Sequence, residues 1–219
     1  MLDDALAGQQ EAWQRMRTHP FLGAIREGTL PAATFERWLA QDHLFVAGSL
    51  PFLGALLASA PCEARPVLAS AIAGYQAELQ RFGETAGRLG VDLTGARPAF
   101  VTHAYLQFLL ATAHRSFPQG LLVLTVLERA YLDCWRGVRD GLAAKAPWRP
   151  LVEQWTTDEF AAYVRSLEEL AERATDGAGS AERRVLTDHI ELTIGYELAF
   201  WEMAWHGWTW PGAGPVSGG

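Results

Sequence analysis

Residues 31 to 206 fall into long segments whose apolar residues recur every three or four positions, each cut off by Gly or Pro. That period belongs to an amphipathic helix, and the apolar–polar alternation of a half-buried strand is absent. A chain so patterned builds a core only by packing helix on helix. The spacing predicts a first helix over 4–18, stopped at His19-Pro20 because a residue before Pro disfavours helical geometry. FLGAIREG follows as a short helical turn closed by Gly28. Pro31 suits the first turn of a helix running to about Gly48, with Pro51 as a break or kink. Further helices are expected over 64–89, over 98–114, and over 118–144 up to PWRP. Thr156 and Glu159 in TTDE form a capping box for a helix to 174, and Ser180 caps a last helix over 181–206. The expectation is an all-α bundle of about seven helices, a single domain over 1–210 with a flexible tail over 211–219.

With 219 residues, 49% of them hydrophobic and 20% charged, the chain can bury one sizeable core. A net charge of −7 and the lack of any Lys or Arg block point away from nucleic acid. Cys62 and Cys134 make neither a disulfide framework nor a CxxC site and fit a reducing compartment. The start, MLDDALAGQQEAW, is acidic and lacks the basic and apolar regions of a signal peptide. The greasiest segment, LFVAGSLPFLGALLASA, is interrupted by Gly, Ser and Pro51, so no membrane span is expected. A cytoplasmic protein follows as the expectation.

Three acids break the pattern. On a helix, neighbours lie at i±3 and i±4. Asp42 therefore shares a face with Trp38, Leu39, Phe45 and Val46, and Glu128 with Leu124, Thr125, Tyr131 and Leu132. Glu197, in YELAFWEMAW, shares one with Thr193, Ile194, Phe200 and Trp201. Glu168, Glu169 and Glu172 differ, sitting among Arg165 and Arg173 as a solvated face. A buried carboxylate must be paired, hydrogen-bonded, protonated or open to a pocket. One reading is that each acid anchors a buried Arg, Tyr or Trp. The other is a pocket with aromatic walls and convergent acids, suited to a flat, nitrogen-rich ligand.

The histidines show no HExxH or paired ExxH spacing, and AELQRFGE offers Glu78 and Glu84 without a neighbouring His. No metal or other cofactor is expected. His19 could mimic a haem ligand, but a His-Pro helix terminus explains it more simply. Cys134 reads as an inert buried thiol.

HPFLGAIREGTLP followed by FERWLAQDHLF resembles the opening of the TenA/Thi-4 family, the thiaminase-II-like proteins. THAYLQFLLATA and YELAFWEMAW continue the resemblance in the same order, over about residues 11–208. The main branch of that family carries a nucleophilic Cys in a segment like LPCxxxY. Here the segment reads LTVLERAYLDCW, with Glu128 at or next to that place and Cys134 about two turns too late. EQWTTDEF also lacks the Tyr that the Cys branch has after its Trp. Both departures resemble the Cys-less TenA_E branch.

The resemblance implies a heme-oxygenase-like helical fold, usually without haem, and a homo-oligomer, dimer or tetramer. It implies a pocket for 4-amino-5-aminomethyl-2-methylpyrimidine and hydrolysis of that amine or its N-formyl derivative in thiamin salvage, with weak action on thiamin. By motif match Asp42 binds the aminopyrimidine edge and Glu197 is the acid/base, with Glu128 as its catalytic partner. Phe45, Tyr105, Tyr131 and Phe200 then bind the ring. Two other classes stay open: a non-catalytic pyrimidine-binding or regulatory protein, and a metal or haem oxygenase on the same fold. The two-acid chemistry further expects Glu128 and Glu197 to approach each other, with at least one pKa raised by mutual repulsion and an apolar wall.

Overall fold

The computed structural model describes residues 2–143, 146 and 148–212. Most of the tail expected over 211–219 lies outside them. Helical periodicity becomes ten helices among the described residues: α1 (Leu2–Gly8), α2 (Gln10–Arg17), α3 (Pro20–Glu27), α4 (Ala32–Ser59), α5 (Arg65–Leu89), α6 (Phe100–Arg115), α7 (Phe117–Arg139), α8 (Arg149–Gln154), α9 (Asp158–Thr175) and α10 (Ser180–His206). No strand occurs among the described residues.

Helix α7 is the axis. Residues 120–128 are buried without interruption, and α7 packs against α3, α6, α9 and α10. Helices α4, α5 and α6 close the other side, α4 lying against both of its neighbours. Gly48 allows that approach: a Cβ there would run into the Leu106 side chain on α6. Gln41 locks the same pair. Its Oε1 accepts from the Ala99 N–H at 2.9 Å and the Thr102 hydroxyl at 2.7 Å, satisfying a donor at the start of α6. The Gln41-Asp42 pair thus splits its work, Gln41 fixing the helix–helix register and Asp42 turning inward.

Several boundaries differ from the sequence expectation. The first helix is two helices broken at Gln9, whose amide nitrogen reaches Glu191 on α10 at 2.6 Å. Helix α4 runs through Pro51 to Ser59, because Phe52, Leu53 and Leu56 beyond it are buried and packing outweighs the missing hydrogen bond. It is the one helix among the described residues long and apolar enough to cross a membrane; here Phe35, Trp38, Leu39 and Leu53 of that helix lie in the core. Helix α7 ends at Arg139 rather than 144, and Arg149 opens the short α8, with Pro150 in its first turn. The cap of α9 is Thr157, not Thr156: its hydroxyl accepts from the Phe160 N–H at 3.1 Å. Gly179, not Ser180, caps α10. His19 is a buried cap of α3, its Nδ1 accepting from the Phe21 N–H at 3.1 Å.

Candidate active site

Helices α4, α5, α6, α7, α9 and α10 surround a cavity of about 250 Å³. Its volume suits one small ring compound with its substituents. Asp42, Phe45, Tyr105, Glu128, Tyr131, Glu197 and Phe200, the site residues expected from the sequence, all line it. Cys134 does not. It is fully buried, and burial pushes its thiol well above the usual range, so it holds no reactive thiolate.

The three inward acids are 5% (Asp42), 3% (Glu128) and 6% (Glu197) exposed, too little for bulk water to solvate them. Each is met by a phenol. The Tyr105 hydroxyl donates to Glu197 Oε1 at 2.8 Å, and Tyr131 to Asp42 Oδ2 at 3.0 Å. Tyr163 donates to Glu128 Oε1 at 3.1 Å, and Tyr75 is a further hydrogen-bonding neighbour of Glu128. Both readings of these acids are therefore realised together, since each anchors a tyrosine and each faces the cavity. Burial pushes the tyrosine pKa values well up, so the phenols remain donors.

The walls are aromatic. Phe45 lies 4.9 Å from Tyr105 and 5.6 Å from Phe200, ring centre to centre. Tyr105 stacks on Tyr196 at 4.8 Å with planes 5° apart, fixing the phenol that holds Glu197. Tyr131, also in the lining, meets Trp155 edge-on at 5.4 Å.

Electrostatics follow from this setting. Burial pushes Glu128 up to about 8, with the neighbouring Glu78 next in effect and Glu197 contributing least. Burial also pushes Glu197 up to about 7, against the pull of the Tyr105 hydrogen bond. Asp42 is raised well above the carboxylate range, first by burial and then by Glu78. Of the two expected causes, the apolar wall dominates through desolvation and repulsion by Glu197 adds least to Glu128; no hydrogen bond joins the two acids among the described residues. Near neutrality the site holds Glu128 mostly protonated and Glu197 at its midpoint, one proton donor and one potential acceptor.

The sequence pattern missed Glu78, Tyr75, Trp155 and Tyr163 as parts of the site. Trp155 Nε1 donates to Glu78 Oε1 at 2.6 Å, and Tyr75 and Glu78 sit three residues apart on α5. That i, i+3 spacing is the signal that could have found the pair. Among the described residues, no group of three His, Cys, Asp or Glu side chains has the geometry to hold a metal ion.

Comparison with known proteins gives a consistent picture. A "Probable bifunctional TENA-E protein" of Glycine max is 25% identical over 194 residues, 85% of each chain. An aminopyrimidine aminohydrolase of Halalkalibacterium halodurans is 26% identical over 215 residues, 92% of this chain and 93% of that one. Among solved structures, a TenA homologue from Pyrococcus furiosus superposes with a TM-score of 0.89 at 30% identity, covering 93% of this chain and all of the other. Residues 7–207 match the description of a single family. The chain belongs to the TENA/THI-4/PQQC family.

Proposed function

We propose that this protein is a thiamin-salvage hydrolase of aminopyrimidines, acting on 4-amino-5-aminomethyl-2-methylpyrimidine or its N-formyl derivative. The relatives named aminopyrimidine aminohydrolase support the reaction class. The observation that carries the proposal is the convergence of Asp42, Glu128 and Glu197, each held by a tyrosine, on one aromatic-walled cavity.

Asp42 takes the aminopyrimidine edge. A carboxyl group accepts from the exocyclic amine and shares a proton with the adjacent ring nitrogen, so its raised pKa is compatible with a two-point pair. Phe45, Tyr105 and Phe200 flank the ring, with Tyr131 oriented by Asp42. Glu197, ionised above about 7, takes a proton from water. For the amine, bound as its ammonium, the water oxygen bonds to the methylene carbon as the C–N bond breaks, so that the nitrogen leaves as neutral ammonia with its own three protons and the hydroxymethylpyrimidine remains. For the N-formyl derivative, water adds to the formyl carbon; Glu128, protonated up to about 8, supplies a proton to the departing amine, and formate leaves. Thiamin is a poor substrate, because expulsion of its thiazole benefits from a soft thiolate that this cavity lacks. The chain acts in the cytoplasm as a homo-oligomer, a dimer or tetramer, which light scattering on the purified protein tests.

Incubation of the purified protein with the amine, the N-formyl amine and thiamin, with products identified by mass, tests the assignment. Turnover of either pyrimidine with slow or no loss of thiamin is the expected result. Rapid thiamin breakdown, or binding of both pyrimidines without turnover, overturns it.

A further inference from the structure

Two cavity-lining acids have no task in the scheme above, Glu159, which is exposed, and Glu78, which is not. It sits on α5, half-buried, with Oε1 pinned at 2.6 Å by the indole of Trp155, itself a wall of the cavity. Among the described residues Oε2 has no hydrogen-bond partner, although the side chain lines the cavity. Glu78 shares the cavity with Asp42 and Glu128, and its charge is the leading charged influence on both. Asp42 takes the ring edge and Glu128 faces the reacting substituent. A group close to both therefore lies beside the ring's methylene substituent.

Charge balance narrows what it meets there. Asp42, Glu78, Glu128, Glu197 and the exposed Glu159 line the cavity, and Arg81, one turn beyond Glu78, is the one cationic side chain among the lining residues. Burial raises Glu78 as well, but the indole hydrogen bond and Arg81 oppose it. Glu78 is also more exposed than Asp42, Glu128 and Glu197. An indole N–H on one oxygen fixes the carboxylate without spending the other, which leaves a directed acceptor.

Resting on the aminopyrimidine reading, we propose that Glu78 is the specificity-determining residue of the site. Its free oxygen receives a primary ammonium on the substrate's methylene, so the cavity selects the charged aminomethylpyrimidine over its neutral N-formyl and hydroxymethyl counterparts. A primary aliphatic amine is cationic at neutral pH, whereas the amide and alcohol are not. Hydrolysis of the amine then removes the group that Glu78 holds, and the neutral alcohol leaves more readily than the substrate arrived.

Calorimetric titration of the intact protein with the amine, the N-formyl amine and the hydroxymethyl product tests this at pH 7. In the wild type the amine should bind at least about tenfold tighter than either neutral compound, as expected for a hydrogen bond to a charged group. Glu78→Gln keeps the Trp155 contact and removes the charge. It should weaken amine binding about tenfold or more while changing the neutral compounds by less than about threefold. Equal loss for charged and neutral ligands makes Glu78 a structural residue and overturns the proposal, as does an unchanged ratio. Because the wild-type preference is measured independently, a poorly folding variant leaves the proposal testable: equal wild-type affinities refute it. Failure of the wild type to bind any of the three overturns the aminopyrimidine reading and this proposal with it. Binding and turnover without selectivity overturns this proposal alone.

Discussion

Asp42, Glu128 and Glu197 show how a carboxylate betrays itself in a helical sequence. Each has apolar residues at i±3 and i±4, so its helix cannot bury that face without burying the acid. Glu78 escaped because its helical neighbours are Gly74, Tyr75, Arg81 and Phe82, half of them compatible with solvent. Tyr163 escaped for the same reason, lying on the margin between the buried face of α9 and water. Periodicity reports the middle of a core, and a pocket rim is its edge. At this scale the chemistry makes its own prediction. The rate constant kcat/KM for the N-formyl amine should rise through about pH 7 as Glu197 ionises and fall through about pH 8 as Glu128 loses its proton. Glu128→Gln should abolish the falling limb and lower the rate on the amide by about a hundredfold or more, the range of one acid–base group. A profile flat from pH 6 to 9 contradicts these assignments.

At the scale of the element, the long segments were legible and their ends were not. Gly90 stops α5 as the sequence suggests, because a left-handed residue there (φ 71°) lets the chain turn away. Proline was ambiguous in both directions: Pro51 is carried inside α4, whereas Pro150 begins a helix where PWRP read as a stop. Only tertiary burial distinguishes the two cases. Gly120 offers a test of how tightly the elements are locked. A Cβ there would lie 2.9 Å from the Ala113 Cα on α6 and 2.6 Å from Leu56 Cδ2 on α4. Gly120→Ala should therefore destabilise the protein by about 1–3 kcal/mol through overpacking, although Ala favours a helix. Thr157→Ala should cost about 1 kcal/mol by removing the cap of α9, with Thr156→Ala not reproducing that loss of a helix cap. Denaturant melts of the variants measure both, and a stabilised Gly120→Ala contradicts the close packing.

At the scale of the whole molecule, the site is bought with stability. Glu128 keeps its proton to about 8 in the fold but loses it near 4.5 when unfolded, and Glu197 keeps its own to about 7. Between those values the native state holds more protons than the unfolded state, so stability falls as pH rises. His19 and His43, lowered by burial, act with the opposite sign, but only below about 6.5. The unliganded protein should thus lose thermal stability from pH 6.5 to 8, and Glu128→Gln should flatten that slope. A wild-type Tm that rises across this window contradicts the buried-acid description.

The central claim, a carboxylate-driven hydrolysis in this cavity, is tested most directly by product release from the two aminopyrimidines in wild type beside Glu197→Gln. The wild type should release ammonia or formate in step with the corresponding pyrimidine product. Glu197→Gln should retain pyrimidine binding and lose about a hundredfold or more in rate. An unchanged rate in Glu197→Gln contradicts the account.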